Sequence, residues 1–228
     1  VIAFTYTEPT VFYEWALDVA RAGAEKDLKT AFVTNGYIKA DPLDSIQPFL
    51  HAANVDLKAF RDESYRRLMG AALQPVLDTL IRMKRLGIWV EVTTLVVTDL
   101  NDSEDELRDI ARFISGELGP ETPWHVSRFH PDFRYTNVPP TNPHVLKRAH
   151  ELGREEGLHY VYVGNLPGTD GENTRCHRCG NLLVNRIGFH VVENRIATGS
   201  TCPQCGERVA GVGMEVVSQR GNSGAGTR

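Results

Sequence analysis

Alternation constrains this chain more than any other feature in it. Runs rich in β-branched and aromatic residues, each of strand length, are separated by stretches with the apolar spacing of helices. The strand-like runs are IAFTYTEP from Ile2, stopped by Pro9, TAFVT at 30–34, NVDLK at 54–58, IWVEVTTLVV at 88–97, HVSRF at 125–129 and YVYV at 160–163. Helical spacing is expected at 10–21, ended by Gly23, and at 43–50, with Asp41 as N-cap and Pro42 at the first helical position. It recurs at 62–69, closed by Gly70, and from Pro75 to Gly87. Asn101-Asp102-Ser103 starts the next helix, with Ser103 and Glu106 as a capping box, and Asn142-Pro143 starts the last, which closes at Gly157. The order is therefore β-α five times and then one more β. Such an order gives a parallel α/β sheet, and right-handed crossovers curl it into a barrel segment. It falls short of the eight units of a full barrel, so the barrel is either small and open or lacks units upstream.

Composition excludes some classes. The 228 residues are 41% hydrophobic and 24% charged, with net charge -4, which suits a soluble globular protein and argues against a broad nucleic-acid-binding face. No apolar run is long enough to span a membrane, and no signal peptide is visible. All four cysteines lie at 176 and beyond, which argues against a disulfide-built secreted scaffold and for a cytoplasmic protein. Val1 already stands in a strand, so the sequence is expected to be a fragment.

In parallel barrels the carboxyl ends of the strands share one mouth, where ligands gather. Here those ends carry Thr7 and Glu8, Thr34 and Asn35, Asp56 and Lys58, Arg128 and His130, and Asn165. Taken singly, Glu8 could cap a helix, Asp56 could pair with Lys58, and His130 could cap a turn. Taken together, they place acid, base, amide and imidazole at one opening.

TYTEPT, VTNGY, NVDLKAF, EVTTLVV, SRFHPDF, PPTNP and YVYVGN, in that order, resemble the radical S-adenosylmethionine (SAM) enzymes of the pyruvate formate-lyase activating type. More closely, they resemble the radical SAM member of the three-part AmmeMemoRadiSam system. The resemblance implies a partial (β/α)6 barrel, here lacking its first unit. It also implies SAM bound to the open iron of a [4Fe-4S] cluster and cleaved to a 5′-deoxyadenosyl radical. That radical acts on a substrate or on partner proteins of the same system. Thr7-Glu8-Pro9 matches the motif that holds the SAM amino group, with Tyr6 and Thr7 in place of two glycines. Asp56 and Lys58 match the pair that contacts the methionine and ribose end. Asn35 sits near the ribose position and His130 near the adenosine. Glu91, Thr94 and Arg128 are candidates for the substrate side of the cavity. Thr98-Asp99 replaces a Pro-Gly common in relatives. The family's CxxxCxxC cluster motif is absent, and its place is expected upstream of Val1.

The last quarter carries Cys176-x-x-Cys179-Gly180 and Cys202-x-x-Cys205-Gly206. Paired CxxC motifs followed by glycine point to a closed, structural zinc site of ribbon or rubredoxin type, with iron as the main rival and disulfides a poor third. His177 lies inside the first knuckle but is not needed as a ligand. A hairpin is expected over 182–196 with its turn at Glu193-Asn194. The expected domains are a barrel over 1–168, a zinc ribbon over 172–213 and a disordered tail over 214–228. Two functions fit: a radical SAM enzyme, or a non-catalytic barrel whose ribbon binds protein or nucleic acid.

Overall fold

The six apolar runs form β1 (Ile2–Phe4), β2 (Thr30–Thr34), β3 (Ala52–Asp56), β4 (Trp89–Val96), β5 (Trp124–Arg128) and β6 (Val161–Gly164). The computed structural model describes residues 1–133, 135–188, 190–212 and 214. In it the six strands make one parallel sheet whose order is the chain order. Parallel neighbours cannot be joined by a tight turn, so each connection carries a helix. These are α1 (Tyr13–Ala24), α2 (Ala40–Ile46), α3 (Asp62–Ser64, widening into a π-helical turn at Tyr65–Met69), α4 (Gln74–Arg85), α5 (Glu104–Phe113) and α6 (Pro143–Glu155).

The chain divides into two compact units, Val1–Glu172 and a second that begins at Asn173. The proposed tail falls, apart from Met214, outside the described residues, as do Gly213 and Phe189 of the expected ribbon.

Strand side chains alternate, and the two faces of the sheet differ sharply. Phe4, Phe32, Val55, Val90, Val92, Trp124, Val126, Val161 and Val163 are buried and form one core with the helices. The helices reach it through Ala16, Ala20, Leu43, Val76, Leu80, Leu107, Ile110, Leu146, Ala149 and Leu152. On the other face one row across the strands is Ala3, Ala31, Ala52 and Trp89. The next rows are Val33, Asn54 and Glu91, then Asp56, Thr93, His125 and Tyr162, then Leu95, Ser127 and Gly164. These side chains are exposed or half-buried. The sheet thus has a sealed apolar side and an open polar side.

Several helix ends depart from expectation. Asp41 lies in the first turn of α2, whose N-cap is Lys39; there its charge favours the positive helix end without capping it. Ser103 caps α5 by accepting from the Glu106 N–H, but the Glu106 carboxylate does not complete the box. It accepts instead from Phe60 N at 2.6 Å, and burial raises its pKa. Gly70 does close its helix in the left-handed region, with φ 63°.

Gly153 brings α6 against the sheet. A Cβ there would stand 2.7 Å from Val161 Cγ2 and 3.1 Å from Trp124 Cε3. Both neighbours are packed strand residues with no room to yield. Gly153→Ala should therefore destabilise the first unit by about 1–3 kcal/mol, read as a lowered urea midpoint at unchanged slope.

Candidate functional site

Parallel strands end in backbone groups that no further strand pairs, and polar side chains close them here. At the end of β1, Glu8 is an acceptor hub. Its Oε1 receives Thr34 Oγ1 at 2.6 Å, Thr10 Oγ1 at 3.2 Å and Thr10 N at 3.3 Å. Its Oε2 receives Asn35 N at 2.8 Å, which leaves that oxygen capacity for another donor. Glu8 therefore ties the end of β1 to the end of β2. Asn35 Oδ1 accepts from Tyr37 N, and Gly36 turns the chain at φ 74°. A Cβ on Gly36 would lie 2.7 Å from Val55 Cγ1, so glycine serves both the turn and the packing there. Thr7 is exposed.

Past β3, Lys58 Nζ meets Asp56 Oδ2 at 2.8 Å. Both side chains are more than a third exposed, so the pair adds little stability and its groups stay accessible to a ligand. The backbone under Lys58 is better fixed. Its N–H donates to the hydroxyl of buried Tyr65, whose pKa burial pushes up to about 12. Its carbonyl accepts from Asn101 Nδ2 at 2.7 Å. Asn101 also donates to Leu95 O and accepts from Val97 N, locking the end of β4 to the loop after β3. Beside it, Thr98 Oγ1 is buried and has no hydrogen-bond partner among the described residues. Asp99 follows with φ 60°.

At the end of β5, buried Thr141 accepts from Phe129 N and donates to Val96 O. Arg128 Nε donates to Thr141 O at 2.9 Å. His130 is exposed, with Nδ1 3.0 Å from Pro131 O. Asn165 Nδ2 reaches back to Arg128 O at 3.4 Å.

Two substrate-side candidates are misplaced for that role. Thr94 is fully buried on the helix-covered face, accepting from Trp124 Nε1 and donating to Leu57 O. Arg128 is in register with Val96 on that same face, with its guanidinium tied into the loop. Glu91 does lie on the open face. Residues three apart on a strand point opposite ways, so Glu91 and Thr94 could never share a cavity, and the period of two was the signal that separates them. By the same count His125 and Tyr162 face the open side, and the sequence reading passed over both. Asn101, Thr141 and Tyr65 were not legible, because their partners are backbone groups of distant strands.

The second unit folds around its cysteines. β8 (Leu182–Ile187) pairs with β7 (Thr174–Arg175) and β9 (His190–Asn194) in an antiparallel sheet. The hairpin turns after Ile187, with Gly188 at φ 58°, and not at Glu193-Asn194, which β9 includes. Glu193 pairs there with Asn185. The two knuckles are near copies. Gly180 N donates to Cys176 O and Gly206 N to Cys202 O, each at 2.9 Å, and both glycines have φ 73°. The four sulfurs lie within 4.8 Å of one another, with Cys176–Cys205 at 3.6 Å and Cys179–Cys202 at 3.7 Å. Tetrahedral thiolates about 2.3 Å from one ion stand about 3.8 Å apart, so the set could hold a single metal ion. Among the described residues no helix is long and apolar enough to cross a membrane.

Residues 1–114, half of the chain, match the family model of the radical SAM superfamily. An uncharacterized protein of Methanocaldococcus jannaschii is 46% identical over 209 residues, which are 91% of this chain and 62% of that protein. The isethionate sulfite-lyase activating enzyme of Oleidesulfovibrio alaskensis is 28% identical over 123 residues, 52% of this chain and 40% of that enzyme. The chain thus spans less than two thirds of the length of either relative. Among solved structures, a domain of pyruvate-formate lyase-activating enzyme from Bacteroides vulgatus shares the fold, with TM-score 0.63 and 14% identity over 72% of this chain and 98% of that one. A radical SAM methyltransferase from Sphaerobacter thermophilus aligns at TM-score 0.57 and 18% identity, over 68% of this chain and 48% of that one. By its first half, which carries four of the six parallel strands, the chain belongs to the radical SAM superfamily.

Proposed function

We propose that the full-length protein is a radical SAM enzyme of the activating-enzyme type, the radical SAM member of an AmmeMemoRadiSam system. In this reading it binds SAM across the ends of β1 to β5 and cleaves it reductively to a 5′-deoxyadenosyl radical. The observation that carries the reading is the Glu8 hub: a carboxylate fixed by four hydrogen bonds, with Oε2 still able to accept, at the mouth of a parallel sheet. Glu8 takes the SAM ammonium, with Thr7 beside it. Asp56 and Lys58 meet the ribose and methionine end, their backbone held by Tyr65 and Asn101. Asn35 stands next to the ribose and His130 toward the adenosine. These donors and acceptors fit SAM.

They do not fit the cluster. No thiolate occurs in residues 1–175, and the four sulfurs of the second unit are spaced for one ion, whereas a four-iron cubane holds its thiolates at its outer corners. None of these residues is therefore assigned to the [4Fe-4S] cluster. The second unit, on this reading, is a zinc ribbon in which Cys176, Cys179, Cys202 and Cys205 close the coordination and Zn²⁺ serves structure alone. The acceptor of the radical is a substrate or a partner protein of the same system.

The deciding experiment is anaerobic reconstitution of the full-length protein with iron and sulfide, followed by reduction in the presence of SAM. 5′-Deoxyadenosine should appear; a cluster-loaded protein that neither binds nor cleaves SAM would overturn the reading. Glu8→Gln and Asp56→Asn should each weaken SAM binding by about tenfold to a hundredfold in calorimetry, the loss of one charge-assisted hydrogen bond, with circular dichroism unchanged. For the second unit, metal analysis of aerobically purified protein should find one zinc beyond any cluster iron, and Cys176→Ser should lose it. A chelator should remove hydrogen-exchange protection over β7 to β9 while the parallel sheet keeps its own.

A further inference from the structure

The open face of the sheet carries a hydrogen-bonded set that the SAM mouth does not use. Trp89 Nε1 donates to Glu91 Oε1 at 3.0 Å, and Glu91 Oε2 lies 2.7 Å from His125 Nε2. The imidazole stacks on Tyr162, ring centroids 5.1 Å apart at 25° between planes. Three residues of the two neighbouring strands thus orient one ring. A carboxylate only accepts, so Nε2 carries the proton of that bond, and in the neutral form of the ring Nδ1 is an acceptor. Nδ1 has no hydrogen-bond partner among the described residues, and about a third of the side chain is exposed.

What lies around the ring narrows the ligand. His125 shares a row with Asp56, Thr93 and Tyr162. Thr93 directs its hydroxyl to Asn54 Oδ1 at 2.8 Å, so that proton is already used. Asp56 and His125 are then the row's acceptors, with the Glu91 carboxylate in the row below. Of the nearby cations, Lys58 is paired with Asp56 and Lys84 lies over the Trp89 ring, 5.9 Å from its centroid. On the β1–β3 side the same face is lined by Ala3, Ala31 and Ala52, whose small side chains leave the sheet surface open beside these acceptors. A face of this kind takes up donors and discriminates against anions.

We propose that the β4 to β6 part of this row, Thr93, His125 and Tyr162, is the substrate-side wall of the cavity, that His125 Nδ1 accepts a hydrogen bond from the substrate, and that the substrate there bears a hydroxyl or ammonium group. Glu91 and Tyr162 are positioning residues: one sets the tautomer, the other the plane of the ring. The proposal rests on the reading of the mouth as a SAM site, because it takes the open face as what remains for the substrate.

Ethanolamine and acetate serve as opposite probes, the first rich in donors, the second an anionic acceptor. Full-length protein labelled with ¹⁵N-histidine is titrated with each and followed by NMR, and SAM affinity is measured in parallel by calorimetry. Ethanolamine should shift the His125 Nδ1 resonance saturably and acetate should not. Glu91→Gln should change the ring's tautomer and weaken the ethanolamine response, and Glu91→Asp should restore part of it. His125→Gln should leave SAM affinity within about twofold of the parent. A shift with acetate, or none with ethanolamine, overturns the acceptor role. A large loss of SAM affinity in His125→Gln overturns the substrate assignment by moving the residue into the SAM site. Failure of the parent protein to bind SAM, with the ethanolamine response intact, would sink the proposed function and spare the acceptor.

Discussion

The satisfaction of backbone polar groups at the carboxyl ends of the parallel strands governs this site. A buried N–H or C=O without a partner costs about 1–3 kcal/mol, and the end of a strand offers several at once. Asn101 answers three of them, Val97 N, Leu95 O and Lys58 O, with one side chain that is 1% exposed. Thr141 does the same between Phe129 and Val96, and Glu8 between β1 and β2. The residues that would meet a ligand therefore stand on loops already fixed to the sheet by other means. Lys58 shows the division of labour. Its side chain is half exposed, while Tyr65 and Asn101 hold its backbone on both sides.

The two faces of the sheet follow from the same economy of burial. Helices can cover only the face to which the crossovers return, and that face is mainly apolar, its buried Thr94 hydrogen-bonded to Trp124 and Leu57. The other face is left to water, and polar side chains on it cost little. Those on β4 and β5 are not idle, for Trp89, Glu91 and His125 satisfy one another across strands. Such a face can be shaped for a ligand without weakening the core behind it.

The second unit solves a different problem. Leu183, Val184, Ile196 and Val209 are its buried apolar side chains of any size among the described residues. So small a core seldom holds a domain without a staple. Four sulfurs brought together by two identical glycine turns supply the place for one.

Strand and helix order, the parallel class and the glycine-closed helix ends are legible in the sequence, because periodicity and turn chemistry act over a few residues. The strand ends themselves are legible too, since parallel topology alone puts them on one edge of the sheet. So are the cysteine knuckles, whose spacing is local. The face of Thr94, the loop-bound Arg128 and the turn at Gly188 were not read correctly. The first needed only the two-residue period, applied along all of β4. The others depend on which distant backbone groups lie within reach, as do Asn101, Thr141 and the Glu106 carboxylate that leaves its own cap for Phe60. The local sequence sets which polar side chains stand along and after each strand; only the packed sheet decides which of them meet, because hydrogen bonds across 30 to 45 positions exist solely where register brings those strands together.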